Sequence, residues 1–238
     1  MRVNSEPTGG TRSEVVRQDD TMTVSSMAGS RPTDGQSLAA AAISQAKTEA
    51  RTRLKAERAG LDPAELARRD AARTARLLKR LSKLSPGVVA CYVSAEPEPG
   101  TMDLLEELAE SGLDVLLPDL TDARAVRQPR WCWWSGEPMT SGYAGIPTPV
   151  APPQPPAVLG RADLIILPGL AGTTAGVRLG QGGGWYDRAL AHARADAPRW
   201  LLLNDSEIVD DLPADDWDQP VTDLVTEQRW TDCRINKD

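Results

Sequence analysis

The chain has no phenylalanine, one histidine and three cysteines among 238 residues, and each shortage closes off a class of chemistry. His192 is the sole imidazole, so a histidine-rich metal site is excluded and a Ser-His-Asp triad would have a single candidate base. Cys91, Cys132 and Cys233 are odd in number and form no C-x-x-C pair. That argues against a disulfide framework or a zinc ribbon and suits a reducing cytosol. Apolar runs are short: Leu164–Leu167 falls far below the roughly 20 residues of a membrane span. Positive charge is in deficit, with 27 Lys+Arg against 34 Asp+Glu and a net charge of −7. A generally basic nucleic-acid coat protein is thereby excluded. No continuous apolar stretch follows the early arginines, so a secretory signal is not supported. The expectation is a cytoplasmic protein with neither nucleic acid nor membrane as partner.

What is present is enough apolar residue, 40% of the chain, for one sizeable domain. Residues 1–38 are rich in Ser, Thr, Gly, Arg and Asp, with apolar residues too scattered to offset ordering, and are expected to be a disordered extension. From Leu38 the apolar spacing of three and four predicts a helix ending near Gly60. Asp62-Pro63 starts a second helix, and Ser85-Pro86-Gly87 stops it. Val88–Val93 reads as a strand, Thr101 as the cap of a helix carrying Leu104, Leu105 and Leu108, and Val115–Leu117 as a second strand, together a parallel βαβ unit. Leu164–Leu167, Trp200–Leu203 and Leu224–Thr226 are further strands, and Trp185 to about Ala195 a helix. Trp131–Trp134 fits a short strand, and the proline-rich 147–156 an extended connection. The fold expected is α/β: a three-layer, mostly parallel central sheet with helices on both faces, forming a single domain over 39–238.

The most informative stretch follows the Leu164 strand. Gly176-Val-Arg-Leu-Gly-Gln-Gly-Gly-Gly184 is succeeded by Trp185-Tyr186-Asp187 and a helix. Glycine permits positive φ and close backbone approach, so N–H groups can converge on phosphate oxygens. Arg178 adds a permanent forked cation, and Asp187 a hard oxygen ligand suited to Mg²⁺. Trp185 stands where a dinucleotide loop needs its third Gly, and no Gly-Lys-Ser/Thr follows. From these residues alone, phosphate binding and a glycine-rich structural turn both remain open.

Asp163-Leu-Ile-Ile-Leu-Pro-Gly-Leu-Ala171 followed by Gly176-Val-Arg-Leu-Gly-Gln-Gly-Gly-Gly-Trp-Tyr-Asp-Arg188 resembles the signature of the 5-formyltetrahydrofolate cyclo-ligase (methenyltetrahydrofolate synthetase) family. The resemblance runs from about Ile43 to Glu227. Lys47 and Arg51 are similar to the family's basic pair, one helical turn apart on one face, that reaches the ATP phosphates. Tyr92–Thr101 resembles the region after the first strand, where Val93 matches an apolar substrate-pocket position and Glu98 the folate-contacting glutamate. Gly145-Ile-Pro147, Leu212-Pro213, Trp217-Asp218 and Leu224–Glu227 complete the order, with Asp218 matching a second metal-linked carboxylate. Departures are Thr173 and Thr222 where Asp is frequent, Trp185 for Tyr, Trp217 for His, and Gln181 at a variable position.

The resemblance implies ATP- and Mg²⁺-dependent cyclisation of 5-formyltetrahydrofolate to 5,10-methenyltetrahydrofolate, with release of ADP and phosphate. It implies ATP contacts from Lys47, Arg51, Arg178, Leu179, Gly180, Gln181, Gly182, Gly183, Gly184, Trp185 and Tyr186. Substrate contacts would come from Val93, Glu98, Gln181–Gly184 and Trp185, and Mg²⁺ would be held by Asp187 and Asp218. Arg178 would stabilise transition-state charge; no nucleophile or general base is required of the protein, and a monomer is expected. The alternatives are a non-catalytic relative that binds folate or nucleotide, kept alive by Thr173 and Thr222, and a phosphotransferase with another acceptor.

Overall fold

The computed structural model describes residues 34–121 and 128–234; residues 1–33 of the expected extension lie outside the described residues. The first helix, α1 (Asp34–Ala59), begins before the expected Leu38. Helix α2 (Pro63–Leu84) is capped by Asp62, whose carboxylate accepts from Ala64 N at 2.6 Å, and ends at Ser85 in the left-handed region. Then come β1 (Val88–Ala90), α3 (Met102–Glu110), β2 (Asp114–Pro118), β3 (Trp131–Trp134), β4 (Met139–Ser141), β5 (Pro147–Pro149), β6 (Leu164–Pro168), β7 (Ala171–Gly172), β8 (Arg178–Leu179), α4 (Trp185–Leu190), β9 (Arg199–Leu202), β10 (Asp223–Val225) and β11 (Trp230–Asp232).

Seven strands form the central sheet in the order β11-β10-β9-β6-β1-β2-β3. The inner pairings are parallel, while β2·β3 and β10·β11 at the two edges are antiparallel. Both faces are buried, and the period of two sorts the side chains. Val89, Leu164, Ile166, Trp200 and Leu202 face Leu77 and Leu81 of α2 and Leu104, Leu105 and Leu108 of α3. Ala90, Ile165, Leu167, Leu201 and Leu203 face the other way, against Ala189 and Leu190 of α4 and Leu159 of a 3-10 turn over Pro156–Arg161. The α/β sandwich is therefore the expected one. Each buried leucine contributes about 1.5–3 kcal/mol of hydrophobic stabilisation.

Four local expectations need correction. The helix after the glycine loop stops at Leu190, not near Ala195, because His192 N and Ala193 N bond back to Ala189 O and Leu190 O and tighten the turn towards β9. Leu224–Thr226 is not in the last strand, since β11 follows as a short half-buried edge strand with no apolar run to announce it. Thr101 holds the N-cap position of α3 but its side chain makes no capping bond; its hydroxyl donates to Tyr92 O at 2.8 Å and accepts from Ser94 N at 3.0 Å, tying the helix start to the loop after β1. The glycine loop does not follow β6 directly, because the β7–β8 hairpin intervenes and places Arg178 on a strand.

Candidate active site

The carboxyl ends of β1, β2 and β6 open into a cleft of about 1130 Å³, roofed by α1 and by the glycine loop. Parallel sheets place ligands there because the strand ends leave a crevice between loops. All the residues singled out for ligand binding line this one cleft: Lys47, Arg51, Val93, Glu98, Arg178 through Tyr186, Asp187 and Asp218.

Between Gly180 and Gly184 the glycine loop carries two positive φ values, +101° at Gly182 and +60° at Gly184, which glycine adopts without penalty. It is also shaped by cations. A Cβ on Gly180 would lie 2.7 Å from Arg178 Nη1, and one on Gly182 would lie 3.3 Å from Arg51 Nε. Arg51 Nε in turn donates to Gly180 O at 3.0 Å, so α1 and the loop are joined across the cleft. The helix that follows has six residues, so the loop N–H groups and the arginines, more than a long helix dipole, are the features that would suit this loop to an anion.

Charge in the cleft is arranged in pairs. Arg178 Nη2 donates to Asp187 Oδ1 at 2.6 Å, and Lys47 Nζ donates to Asp215 Oδ2 at 2.6 Å and Asp218 Oδ2 at 2.5 Å. Burial pulls the Lys47 pKa down, but the hydrogen bonds and charges of Asp215 and Asp218 outweigh it and hold the ammonium above its ordinary value. At the other end Gln181 Nε2 donates to Glu98 Oε1 at 3.1 Å, bringing the glycine loop to the loop after β1. Three buried polar atoms of cleft residues have no hydrogen-bond partner among the described residues: Arg178 Nε, Tyr186 Oη and Arg58 Nη1. Each is a donor, and buried donors without acceptors are costly, so the cleft suits a ligand rich in oxygen acceptors. Burial, reinforced by the charge of Glu98, pushes the Tyr186 phenol well above its ordinary pKa and keeps it a donor.

The hard carboxylate oxygens of Asp187 and Asp218 fit Mg²⁺ in donor chemistry, with ligand phosphates and water to complete its shell. No group of three or more His, Cys, Asp or Glu side chains is assembled for a metal among the described residues. Two carboxylates would supply only part of a metal's shell, and phosphate oxygens would complete it.

Several cleft residues were missed in the sequence. Lys55 and Arg58 continue the Lys47–Arg51 stripe along α1, a signal that the helical spacing carried. Asp215 lies in an acidic run without distinctive spacing, and Tyr143 comes from a segment with no apolar pattern. The departures Thr173 and Thr222 fall outside the cleft lining. The Thr173 hydroxyl accepts from Val177 N at 3.2 Å inside the β7–β8 turn, and Thr222 Oγ1 accepts from Arg199 N at 2.8 Å. Thr222 Oγ1 also donates to Asp223 Oδ2 at 2.5 Å, a bond that an ionised Asp could not make. Trp131, fully buried, packs edge-on against Trp185 at 5.1 Å between ring centroids, which makes it a support for the cleft wall.

Comparison with known proteins identifies the family. The model of the 5-formyltetrahydrofolate cyclo-ligase family matches residues 43–227. A 5-formyltetrahydrofolate cyclo-ligase of Mycolicibacterium smegmatis is 37% identical over 149 residues, covering 62% of this chain and 77% of the relative. One of Haemophilus influenzae is 27% identical over 183 residues, covering 76% and 97%. The solution structure of Aquifex aeolicus 5,10-methenyltetrahydrofolate synthetase superposes with a TM-score of 0.69 at 26% identity, covering 81% of this chain and 95% of that one. The synthetase of Mycoplasma pneumoniae, 18% identical with a TM-score of 0.60 and coverage of 76% and 98%, shares the fold. The matched family segment contains the α1 cations, the glycine loop and both carboxylates, and the chain belongs to the 5-formyltetrahydrofolate cyclo-ligase family.

Proposed function

We propose that the protein converts 5-formyltetrahydrofolate and ATP to 5,10-methenyltetrahydrofolate, ADP and phosphate. The observation that carries this reading is the convergence of the α1 cations, the glycine loop, Glu98 and two carboxylates on one cleft within the family-matched segment.

The chemistry explains why such a cleft suffices. An N5-formyl group is amide-like: its carbon is a poor electrophile and its oxygen a poor leaving group. Transfer of the γ-phosphoryl group to that oxygen forms an O–P bond, breaks the bond to the β-phosphate and releases ADP. N10 then attacks the formyl carbon, loses its proton, and the ring closes as the C–O bond breaks and phosphate leaves. No step requires covalent work from the protein, so positioning and charge neutralisation supply the catalysis. Lys47, Arg51 and the N–H groups of Gly180–Gly184 hold the triphosphate. Arg178, fixed by Asp187 and with Nε unpartnered, takes up charge that develops on the transferred group. Glu98 and Gln181 orient the folate beside Val93 and Trp185. Mg²⁺, held by Asp187 and Asp218, would neutralise phosphate charge.

We further propose a cytoplasmic monomer whose catalytic domain spans 39–238, with residues 1–38 as an extension. No helix among the described residues is long and apolar enough to cross a membrane, and the three thiols are free. Light scattering and a truncated chain test the monomer and the boundary.

The test of the activity follows methenyltetrahydrofolate absorbance with ATP and Mg²⁺, for wild type and Asp187→Ala. Product is expected from wild type and should fall about a hundredfold or more in the variant, the usual scale for losing a preorganised charge-stabilising group. Folded wild-type protein that binds folate yet forms no product would establish the non-catalytic relative instead.

A further inference from the structure

One contact at the edge of the cleft brings a lysine and a metal-type carboxylate into competition. Lys47 Nζ touches Asp218 Oδ2 at 2.5 Å, an oxygen of the carboxylate assigned to Mg²⁺ above. The same oxygen accepts the Asp215 backbone N–H at 2.8 Å, so it already has two donors. A divalent cation and an ammonium on one carboxylate repel strongly in a partly buried site, so metal on Asp218 weakens its hold on Lys47. Side chains of all three residues are largely buried, at 9% exposure for Lys47, 14% for Asp215 and 19% for Asp218. Water therefore screens the competition poorly. Asp215, which no ligand role uses, offers the lysine a second carboxylate at 2.6 Å from the position it already holds.

We propose that Asp215 is a positioning residue that takes over Lys47 when Asp218 turns to the metal. Lys47 acts as an internal stand-in for the metal on Asp218, and Asp215 keeps its ammonium inside the cleft, ready for phosphate oxygens, once the metal displaces it. Lys47 thus opposes metal alone and favours nucleotide, while metal and nucleotide together satisfy every charge. Metal and nucleotide binding are then coupled through one side chain, and the coupling is reciprocal. This inference rests on the metal and phosphate assignments of the proposed function.

The test measures binding of Mn²⁺ alone by electron paramagnetic resonance, and of ATP by calorimetry, in the full chain. Lys47→Met is expected to tighten Mn²⁺ binding without nucleotide by about fivefold or more and to weaken ATP binding by a similar factor, opposite signs at the low end of couplings between sites. A residue with only a structural role would weaken both. Asp215→Asn removes a nearby negative charge in any background, so the decisive quantity is the double-mutant comparison. Its Mn²⁺ loss is expected to be roughly tenfold with Lys47 present and under about threefold with Met at that position, a difference of the size found for contacting residues. Equal losses in the two backgrounds, or no tightening in Lys47→Met, would overturn the inference while leaving the metal assignment standing. Wild-type protein that binds no Mn²⁺ with or without ATP would overturn the metal assignment beneath it. Thermal melts confirm folding, and Lys47→Gln replaces the Met variant if that one does not fold.

Discussion

Gly176 and Gly182 both hold positive φ, and their surroundings separate stability from ligand binding. A Cβ on Gly176, at φ +87°, would lie 2.6 Å from the Val221 carbonyl oxygen, a backbone atom that cannot swing aside. The Val221 N–H donates to Gly176 O at 2.9 Å, so the contact is part of the fold's own bonding. Gly176→Ala is expected to lower stability by about 2–3 kcal/mol from backbone strain and clash, read as a reduced urea midpoint. Gly182 meets the Arg51 guanidinium, a side chain that can move but to which the proposed function gives a phosphate. Gly182→Ala is expected to raise the KM for ATP about tenfold, the loss of roughly one charge-assisted hydrogen bond, with a smaller stability cost. Steady-state kinetics and urea melts on the two variants would show the crossed pattern; matching stability losses with an unchanged KM would remove Arg51 from nucleotide binding. The residue types in the loop were readable from sequence because glycine, arginine and aspartate carry their chemistry locally. Asp215 was not, because its importance comes from a partner 168 positions away.

At the level of elements, α1 is the unusual one. Its attachment is chiefly polar: Lys47 to the Asp215–Asp218 loop, Arg51 to Gly180 O, and Arg58 to Glu207 and Gly169 O, with Leu54 as its buried apolar anchor. The Arg58–Glu207 pair is nearly dry and doubly bonded, at 2.7 and 2.6 Å. Removing one partner of such a pair leaves a buried charge uncompensated, which costs about 3–5 kcal/mol. Glu207→Gln is therefore expected to destabilise by that order and to speed amide hydrogen exchange in α1 more than in α2. Equal acceleration in both helices would show that α1 is not separately tethered. Helices with an apolar face, such as α2 and α3, were legible from their spacing, as were the inner strands with continuous apolar runs. The short α4 and the edge strand β11 were not. Good helix formers follow Leu190, yet the return to β9 overrides propensity. The half-buried Trp230–Asp232 acquires strand identity from its pairing with β10.

The whole molecule stores its thiols in the core, and this dictates how it fails at alkaline pH. Cys91 packs in the face covered by α2 and α3, Cys233 in the face covered by α4, and Cys132 on the edge strand β3. Burial pushes Cys91 from 9.0 to about 12, and Cys132 and Cys233 from 9.0 to about 11. These are folded-state values raised above those of the unfolded chain. The stability they contribute is complete below pH 9 and is lost as pH rises, because only the unfolded chain then releases its thiol protons. The loss from Cys91 approaches about 1.4 kcal/mol per pH unit. It ends near pH 12 for Cys91 and near pH 11 for the other two, where the folded thiols also ionise. Tyr92 and Tyr186, raised well above 10.0 by burial, and Lys47, raised above 10.5 against its desolvation by the hydrogen bonds of Asp215 and Asp218, act with the same sign at higher pH. Urea midpoints should hold steady from pH 7 to about 8.5 and then fall steeply, and Cys91→Ala should flatten the fall at the cost of a small cavity. In native protein at pH 8 a thiol-specific disulfide reagent should react with none of the three, and in denaturant with all of them. Rapid labelling of the native chain, or a urea midpoint unchanged to pH 10.5, would show that the thiols are not held in the dry core on both sides of the sheet.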